Sequence, residues 1–446
     1  MSRLTARSRE LLLLVFATGL LLLMLFGLET SQGRTLSTEM LYIVGGFIGV
    51  YAIAHVAIAF LAPHADQVML PTVALLNAVG LVVIYRIDLA ERPGYGPLAE
   101  RQMLWSLVGV GLMVLTLIVV REHQALSRYS YLLGLLGLIL LALPLVWPQP
   151  EGTDARIWLW LGPFSIQPGE FSKILLLIFF AQLLAQKRAL FTVAGRRFLG
   201  FTFPRLRDLA PILMVWAIAI LIMAVSNDFG PALLLFATVL GMVYFATGRA
   251  SWLAIGLALV AIGGYAVYQV SSKIQERVAN FIDPFSDFEG IGNQPANALI
   301  SLSWGGVTGT GLGYGHPELV PVAHSDYILA AIGEELGFVG IAAVLCLFAV
   351  FITRGFRTAM QVRDTYGKLL ASGLALTLAI QIFVVAGGVS SMLPMTGLTT
   401  PFMSAGGSSV MANYILLGLL LRISNSANRP PEYDEATQRR EVVGAR

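Results

Sequence analysis

Long runs of apolar residues that contain no charged side chain dominate this sequence. Residues 11–28 read LLLLVFATGLLLLMLFGL, and residues 210–224 read APILMVWAIAILIMA. The hydrocarbon core of a bilayer requires about 20 predominantly apolar residues for each helix that crosses it. Only 12% of the residues are charged, whereas soluble proteins average about 25%. The sequence therefore predicts an all-α polytopic membrane protein, because a soluble fold would leave these runs facing water.

Hydropathy predicts about twelve transmembrane helices, and the first lacks the small-residue cleavage site of a signal peptide. Asn227 and Asp228 form a short turn, so the seventh and eighth helices are predicted to form a hairpin. The longest connection, residues 271–325, separates the ninth and tenth helices. The predicted spans are residues 10–28, 40–62, 67–87, 102–120, 129–147, 170–186, 208–226, 229–247, 251–270, 326–352, 366–389 and 405–423.

The distribution of Lys and Arg predicts the orientation of these helices. Cytoplasmic connections carry an excess of basic residues, and a cytoplasmic N-terminus puts most of the 29 basic residues on that side. Both termini are then cytoplasmic, and the 271–325 connection lies outside. In this orientation the outer segments and span ends hold Arg34, Arg86, Arg92, Arg101, Arg156, Lys273 and Arg277.

Composition also predicts the structure of segments between and after the spans. Residues 273–282 (KIQERVANFI) have helical spacing and are predicted to lie along the membrane interface. The rest of 271–325 is rich in Gly, Asn, Asp and Pro, which predicts an irregular loop. The polar tail, residues 424–446, is predicted to be disordered. The single cysteine, Cys346, excludes an intramolecular disulfide and is interpreted as a small core residue.

Ionisable residues near the outer ends of the predicted helices are candidates for function. A charge in a membrane helix costs roughly 2.5–3.5 kcal/mol on insertion scales, so it usually faces a polar cavity or a partner. Glu170 and Lys173 lie on one face of a helix that is predicted to start near Pro168. They are interpreted either as a structural ion pair or as the lining of a polar cavity. Glu334 and Glu335 lie deeper in the tenth helix, where one of them is predicted to bond a neighbouring helix.

Two aspartates near helix starts have both a structural and a functional interpretation. Asp228 precedes the eighth helix, and Asp326 follows His324 at the start of the tenth. As a helix cap, each would contribute about 1 kcal/mol. Asp326 is equally well interpreted as an outward-facing general base. The glycine-rich residues 305–315 before it allow close backbone approach but match no phosphate-binding loop of the Gly-Lys-Ser/Thr type.

Five segments, in order, resemble motifs of the shape, elongation, division and sporulation (SEDS) family of membrane glycosyltransferases. The last is rich in small and hydroxylated residues, which suits either close helix packing or the lining of a cavity. The resemblance covers about residues 67–423, so residues 1–66 are predicted to add two helices to a ten-helix core. The segments are WLWLGPFSIQPGEFSK (158–173), NDFGPAL (227–233), GNQPANALISLSWGGVTGTGLG (292–313), VPVAHSDYILAAIGEELGFVG (320–340) and LPMTGLTTPFMSAGGSS (393–409).

The sequence departs from the family pattern at several positions. Gly169 stands where the family usually has Ser, and Asn227 where it has Pro. Asn297 and Ala298 replace a common Gln-Ser pair, and Ser325 is a mild change from Thr. Where many members have Glu this chain has Val, at position 322, so any role of that Glu is absent here.

The resemblance implies a peptidoglycan glycosyltransferase that polymerises lipid II on the outer leaflet by inverting hexosyl transfer. The family's catalytic aspartate corresponds to Asp326, which would act as general base. Cations must stabilise the pyrophosphate leaving group, and Lys173, Arg156 or a divalent Mg²⁺ or Mn²⁺ ion would supply them. The predicted substrate-binding residues are Glu170, Lys173, Arg156, Asp228, Gln294, His324, Ser404, Gly406 and Gly407.

The resemblance also implies partners and a location. Lipid II, the growing glycan strand, membrane lipids and a class B penicillin-binding protein are expected as partners in the cytoplasmic membrane, and nucleic acid is not. The short tail and the added helices favour an elongation role over a division role. A lipid II flippase and a non-catalytic scaffold are the rival functions. A flippase needs no base at the outer surface, so an Asp326→Asn variant distinguishes it from a transferase.

Overall fold

The computed structural model describes residues 5–34, 37–90, 97–150, 155–162, 164–192, 196–198, 201–203 and 206–430. These residues are almost all helical, which confirms the all-α prediction. The helices are α1 (Ser8–Ser31), α2 (Thr38–Leu61), α3 (Met69–Asp88), α4 (Leu98–Val119), α5 (His123–Arg128), α6 (Ser130–Val146), α7 (Pro168–Thr192), α8 (Leu206–Val225), α9 (Phe229–Thr247), α10 (Ser251–Val270), α11 (Ser272–Ile282), α12 (Asn293–Gly305), α13 (Ile328–Gln361), α14 (Thr365–Val389) and α15 (Gly407–Asn428). Two short antiparallel hairpins, not predicted from the sequence, pair β1 (Leu159–Leu161) with β2 (Phe164–Ile166) and β3 (Arg196–Phe198) with β4 (Phe201–Phe203).

In the described part of the chain, 10 helices are long and apolar enough to cross a membrane. The other two predicted spans coincide with shorter apolar helices, α6 and the Leu213–Val225 part of α8. Each predicted span is therefore largely helical, whereas a total of about twelve crossings stays a prediction. So does the division into a 1–66 hairpin and a 67–423 core.

The hairpin of α1 and α2 packs on α3 and α4. At one end it is held by Arg7, a fully buried side chain that donates to the carbonyl oxygens of Ala62 (3.3 Å) and Ala65 (2.9 Å). Arg7 also pairs with Glu10, whose carboxylate bonds His55 Nδ1 at 2.6 Å. Carbonyl groups at and after a helix end have no partner within the helix, so Arg7 satisfies them and joins the start of α1 to the end of α2.

Helix α7 contacts α6, α9 and α14 in the middle of the bundle. Its approach to α6 is close, because a Cβ at Gly134 would lie 2.7 Å from the ring of Phe179. The Ser172 hydroxyl donates to the carbonyl oxygen of Gly137 at 2.7 Å. Small residues permit such backbone approach between membrane helices. Helix α7 begins at Pro168, as predicted, but extends beyond the predicted end at residue 186.

The connection between α10 and α13 is more helical than predicted. The helix expected around residues 273–282 is confirmed as α11, and its position along the membrane interface stays a prediction. The prediction of an irregular loop is wrong for α12, where the buried residues Ala298, Ser301 and Gly305 recur at helical spacing. This helix could not be recognised from composition, because Asn293, Pro295 and the glycines at its two ends are typical of turns.

Helix α13 is longer than the predicted span 326–352 and breaks at Gly337, which has φ 67° and ψ −169°. A left-handed φ of this kind favours glycine. The N–H of Phe338 donates to the carbonyl oxygen of Gly306 at 3.0 Å. The glycine-rich segment that precedes α13 is therefore bonded to the break.

The connection between α14 and α15 is buried although it is irregular. Thr400, Phe402 and Ser404 are almost fully buried, and the Asn77 side chain donates to the carbonyl oxygen of Phe402 at 3.1 Å. Irregular backbone at membrane depth is tolerated where protein covers it. For these residues the structure supports the close-packing interpretation.

Two further predictions are corrected by the structure. Helix α15 continues to Asn428, so the disorder predicted from residue 424 is wrong for its first residues; residues 431–446 lie outside the described chain. Cys346 is exposed on α13, so its interpretation as a core residue is wrong. Its neighbours Val344 and Phe348 are buried, so this part of α13 packs one face on the bundle, and Cys346 lies on the other face.

Candidate active site

A cavity of about 160 Å³ opens between α11, α12 and the residues that precede α13. Asp326, Arg277 and Gln294 contribute charged and hydrogen-bonding groups to its lining. The structure thus brings together Asp326 and Gln294, two of the predicted site residues. Arg277 was not among the predicted site residues.

Asp326 does not cap the helix that follows it. Helix α13 has Tyr327 at its N-cap position and no side-chain cap hydrogen bond, so the capping interpretation of Asp326 is wrong. One carboxylate oxygen, Oδ1, accepts a hydrogen bond from the Ser325 hydroxyl at 2.9 Å. Burial raises the pKa of Asp326, while the Ser325 hydrogen bond and the charge of Arg277 act in the opposite direction. The carboxylate remains directed to the cavity.

Arg277, which lies on α11, lines the same cavity as Asp326. Its Nη1 donates to the carbonyl oxygen of Thr396 at 3.2 Å. A Cβ built on Gly397 would lie 3.6 Å from Arg277 Nη2 and 3.7 Å from Asp326 Oδ2. The guanidinium and the carboxylate therefore flank one small open region. In the sequence, the spacing of Lys273 and Arg277 on one face of an amphipathic helix was the available signal, and an interfacial position explained it equally well.

Glu170 and Lys173 form a buried ion pair at the start of α7. Lys173 Nζ lies 2.6 Å from Glu170 Oε2 and 3.5 Å from Gln381 Oε1 of α14. The pair lines a separate narrow cavity of about 20 Å³, together with Thr238 and Thr377. The geometry fits both interpretations made from the sequence, the structural ion pair and the polar cavity. A substrate-binding role for this pair stays a prediction.

Asp228 lies in the turn between α8 and α9, where Asn227 adopts a left-handed φ of 58°. It occupies the N-cap position of α9, but its side chain makes no cap hydrogen bond. The turn interpretation is confirmed, and the side-chain cap is wrong. With Arg156, Asp228 lines a third cavity of about 10 Å³, and the Arg156 N–H donates to the carbonyl oxygen of Ser226 at 3.1 Å. The two narrow cavities share Gly169 in their linings.

Electrostatics connect these cavities. Burial and the negative charge of Glu170 raise the pKa of Asp228 to about 7, against the opposing charges of Lys273 and Arg277. Burial lowers the pKa of Arg277, and the negative charges of Asp228 and Asp326 counteract that shift. Arg277 therefore interacts with two carboxyl groups, one in each of two cavities.

The other predicted site residues do not line the cavity that contains Asp326. They are His324, Ser404, Gly406 and Gly407. The carbonyl oxygen of His324 accepts from the N–H of Ala405 at 2.8 Å, and the Ser404 hydroxyl donates to the carbonyl oxygen of Ser325 at 2.6 Å. Gly406 and Gly407 begin α15, and a Cβ at Gly407 would lie 2.6 Å from the Trp105 ring. These contacts fix the backbone before Asp326. Roles of these residues in substrate binding stay predictions.

A metal site was expected only through the resemblance. Among the described residues, no three His, Cys, Asp or Glu side chains are grouped as metal ligands. Mg²⁺ commonly keeps several waters and binds through one or two carboxylates together with substrate phosphates. A single partly buried carboxylate such as Asp228 fits that mode of binding, and no chelating cage is required.

The fold and the cavities define a multi-pass membrane protein that presents carboxylate and guanidinium groups at one end of its helical bundle. A sequence model of the FtsW/RodA/SpoVE family, described as "Cell cycle protein", matches residues 66–429. The chain belongs to this family, which is the SEDS family. The resemblance stated from the motifs is thereby confirmed.

Curated relatives share most of the chain. "Peptidoglycan glycosyltransferase RodA" of Mycobacterium tuberculosis is 48% identical over 431 residues, covering 96% of this chain and 92% of the relative. The protein of the same name in Mycobacterium leprae is 49% identical over 432 residues, with the same coverage. A "Probable peptidoglycan glycosyltransferase FtsW" of Trichlorobacter lovleyi is 34% identical over 377 residues, covering 82% of this chain and 94% of the relative.

Solved structures share the fold. A chain from a study of polymerization and crosslinking by a peptidoglycan synthase complex matches with TM-score 0.65 and 27% identity, covering 82% of this chain and 99% of that one. The crystal structure of RodA from Thermus thermophilus matches with TM-score 0.59 and 25% identity, covering 82% and 98%. The chain is thus a peptidoglycan glycosyltransferase of cell-wall synthesis, as predicted.

Proposed function

We propose that the chain polymerises lipid II into glycan strands at the outer face of the cytoplasmic membrane, with Asp326 as the general base. The observation that carries this proposal is the position of the Asp326 carboxylate. It has no capping role and faces a cavity of about 160 Å³ that also contains Arg277 and Gln294. A carboxylate in such a cavity can accept a proton from a bound sugar hydroxyl.

The proposed reaction requires one base. As the acceptor hydroxyl oxygen forms a bond to the anomeric carbon of the donor, its proton passes to Asp326. The bond from that carbon to the pyrophosphate oxygen breaks, and the lipid pyrophosphate leaves with the electron pair. A single displacement inverts the anomeric centre, whereas retention commonly requires a second, nucleophilic carboxylate.

Positive groups are needed where the pyrophosphate charge develops. In an in-line displacement the leaving group departs on the face opposite the attacking hydroxyl. Arg277 lies beside Asp326 and therefore belongs to the acceptor side. Lys173 and Arg156 line the neighbouring cavities and are the proposed cations of the donor side, together with a divalent Mg²⁺ or Mn²⁺ ion.

The comparisons support an elongation role and a protein partner. Identity to the mycobacterial RodA proteins is 48% to 49%, against 34% for a division-type relative. A matching solved chain comes from a peptidoglycan synthase complex that combines polymerization with crosslinking. We therefore propose a class B penicillin-binding protein as partner. The distribution of Lys and Arg supports a topology with both termini in the cytoplasm.

Replacement of Asp326 by Asn tests the proposed function. Asn keeps the size of the side chain but cannot accept the proton, and loss of a general base costs about 10²–10⁴-fold in rate. Purified Asp326→Asn with its partner should therefore give no visible polymer from labelled lipid II. The matched control is Glu289→Gln, which neutralises an exposed carboxylate on the same outer connection. Near-normal polymerisation by Asp326→Asn would refute the assignment.

The same variant addresses the flippase rival. Wild-type protein in vesicles should polymerise lipid II that is presented on its outer face, without any transfer of lipid between leaflets. If the wild type instead moves lipid II across the bilayer without making polymer, and Asp326→Asn retains that transport, the chain is a flippase.

A further inference from the structure

The outer end of α1 contacts the glycine-rich segment at Gly313. The Gln32 side-chain amide donates a hydrogen bond to the Gly313 carbonyl oxygen. Gly313 has a left-handed φ of 86°, and a Cβ at this position would overlap the hydroxyl oxygen of Ser31. Because only glycine fits this approach, the last turn of α1 forms a seat for Gly313.

The same segment is bonded to the backbone of α13. The N–H of Thr310 donates to the carbonyl oxygen of Glu334 at 2.9 Å, and the N–H of Gly311 donates to that of Glu335 at 3.1 Å. These carbonyl groups belong to the part of α13 that precedes its break at Gly337. The segment therefore holds the first turns of the helix that directly follows Asp326.

Side chains tie the segment to two further helices. The Glu334 carboxylate accepts from the hydroxyl of Ser301 on α12. Arg86 of α3 donates to the Glu335 carboxylate at 2.9 Å and to the carbonyl oxygen of Gly315 at 2.6 Å. Both glutamates thus bond neighbouring helices, where only one was predicted to do so. Helix α12 carries Gln294, and Asp326 lies just before α13, so the segment is joined to the two helices that flank these cavity residues.

The seat for Gly313 is supplied by a part of the chain outside the family model. That model begins at residue 66, after α1 and α2. The mycobacterial relatives match 96% of this chain, and so they include most of the hairpin. Evidence of a second contact at this end comes from Glu29, which is buried and accepts from the Tyr85 hydroxyl of α3 at 2.6 Å.

We propose that the α1–α2 hairpin acts as a clamp that positions the active site. Ser31 and Gln32 hold the glycine-rich segment, the segment holds the outer turns of α13, and those turns orient Asp326 toward the cavity. Ser31 and Gln32 are positioning residues, since neither contacts the cavity. The proposal rests on the polymerase function proposed above and assigns to the hairpin control over catalytic rate.

Removal of the Gln32 hydrogen bond tests the clamp. Gln32→Ala is compared with Thr30→Ala, a matched control on the same turn whose hydroxyl donates to the Phe26 carbonyl oxygen of α1 itself, at 2.8 Å. Amide hydrogen exchange is measured in residues 306–315 and 328–336, and kcat and KM are measured with labelled lipid II. Gln32→Ala should accelerate exchange in both segments and lower kcat about fivefold with little change in KM. Thr30→Ala should change neither quantity.

A second set of variants distinguishes the steric contact between Gly313 and Ser31 from backbone strain at Gly313. Gly313→Ala should lower kcat more than Gln32→Ala does, because the added methyl group meets Ser31 and the left-handed φ disfavours Ala. In the double variant Gly313→Ala with Ser31→Ala, the hydroxyl that blocks the methyl group is gone. The double variant should therefore recover part of the lost kcat, which a strain effect alone would not allow.

Several outcomes would overturn the clamp. They are unchanged exchange in Gln32→Ala, no recovery in the double variant, or a lower thermal stability of Gln32→Ala with normal kcat. The exchange measurements do not require activity. If the wild type makes no polymer but Gln32→Ala still loosens residues 328–336, the proposed function fails while the structural coupling stands.

Discussion

At the scale of single residues, the ionisation of Asp326 depends on what surrounds it. Burial raises the pKa of the carboxyl, and the Ser325 hydroxyl and Arg277 lower it. The nearby phenol of Tyr327 has its own pKa raised, first by burial and then by the charge of Asp326, so it stays neutral. The negative charge of Asp228 also acts on Arg277, whose pKa it raises against the effect of burial. Arg277 is thus the charged group that most directly favours the ionised base.

Arg277→Ala is expected to move the acidic limb of the kcat/KM pH profile to higher pH, by about 1 unit. The base accepts a proton only when ionised, and the loss of a neighbouring positive charge favours its protonated form. Arg277→Lys keeps the charge and should leave the limb in place. Polymerisation of labelled lipid II across the pH range measures both effects. Gln275→Ala is the control, because Gln275 lies on α11 with Arg277 but donates to the Tyr268 carbonyl oxygen of α10 at 2.8 Å. An unshifted limb in Arg277→Ala would contradict this role.

The Glu170–Lys173 pair is best tested by neutralising both residues together. Replacement of a buried ion pair by uncharged groups of similar size is often neutral for stability, whereas removal of one partner leaves a buried charge unpaired. Glu170→Gln with Lys173→Met should therefore remain folded, with a Tm close to that of the wild type. Its polymerisation rate should fall by about 100-fold or more, because the cation proposed to bind the donor is lost. Recovery of normal activity in this double variant would mean that the pair is structural.

The sequence could predict the acidic and basic residues at the ends of apolar spans, but not all of the site. Asp326, Asp228 and Glu170 were recognisable because an ionisable group near a membrane helix requires an explanation. For Asp326 and Asp228, the choice between a helix cap and a functional role could not be made, because a cap depends on whether the helix begins one residue earlier or later. Arg277 was missed because its partner, the Thr396 carbonyl oxygen, lies far away in the sequence.

At the scale of elements, the break in α13 carries much of the outer architecture. Gly337 has a left-handed φ and lies against the backbone of Val307 and Gly309. An unbroken α13 would exclude the glycine-rich segment from its place beside Glu334 and Glu335. The break is therefore the feature that lets α12, the segment and α13 form one unit.

Gly337→Ala is expected to destabilise the protein by at least about 1–2 kcal/mol, the usual cost of a left-handed residue with a Cβ. Overlap with the neighbouring backbone adds to that cost. The control is Gly111→Ala on α4, where a Cβ meets nothing within 4 Å and helix propensity favours Ala. Thermal unfolding in detergent should show a lower Tm for Gly337→Ala only. Equal Tm values for the two variants would mean that the break is not needed for stability.

Elements were predictable from the sequence where their signal is local. Hydropathy located the spans because the length of an apolar run directly reflects the thickness of the bilayer. The α11 helix was found from its amphipathic spacing. Helix α12 and the break at Gly337 were missed because both depend on contacts between segments, such as the bond from Phe338 to Gly306. The resemblance to a family supplied function, but it does not describe such contacts.

At the scale of the whole molecule, the topology depends on whether two short helices cross the membrane. Helix α6 and the apolar part of α8 are shorter than the other candidate spans. If both cross the bilayer, five crossings (α6, α7, α8, α9 and α10) separate α5 from the connection between α11 and α12. An odd number of crossings places these two sites on opposite sides, whereas failure of one short helix to cross would place them on the same side.

Cysteine labelling from outside the cell tests this arrangement. Cys346 is exposed, so the background carries Cys346→Ser, and single cysteines replace Gln124 in α5 or Glu289 between α11 and α12, both of which are exposed. A membrane-impermeant maleimide should modify Glu289→Cys in intact cells, and Gln124→Cys only after permeabilisation. Modification of both sites in intact cells would show that α6 or α8 does not cross. Modification of Gln124→Cys alone would invert the orientation, and the Asp326 cavity would then face the cytoplasm, away from the growing glycan strand.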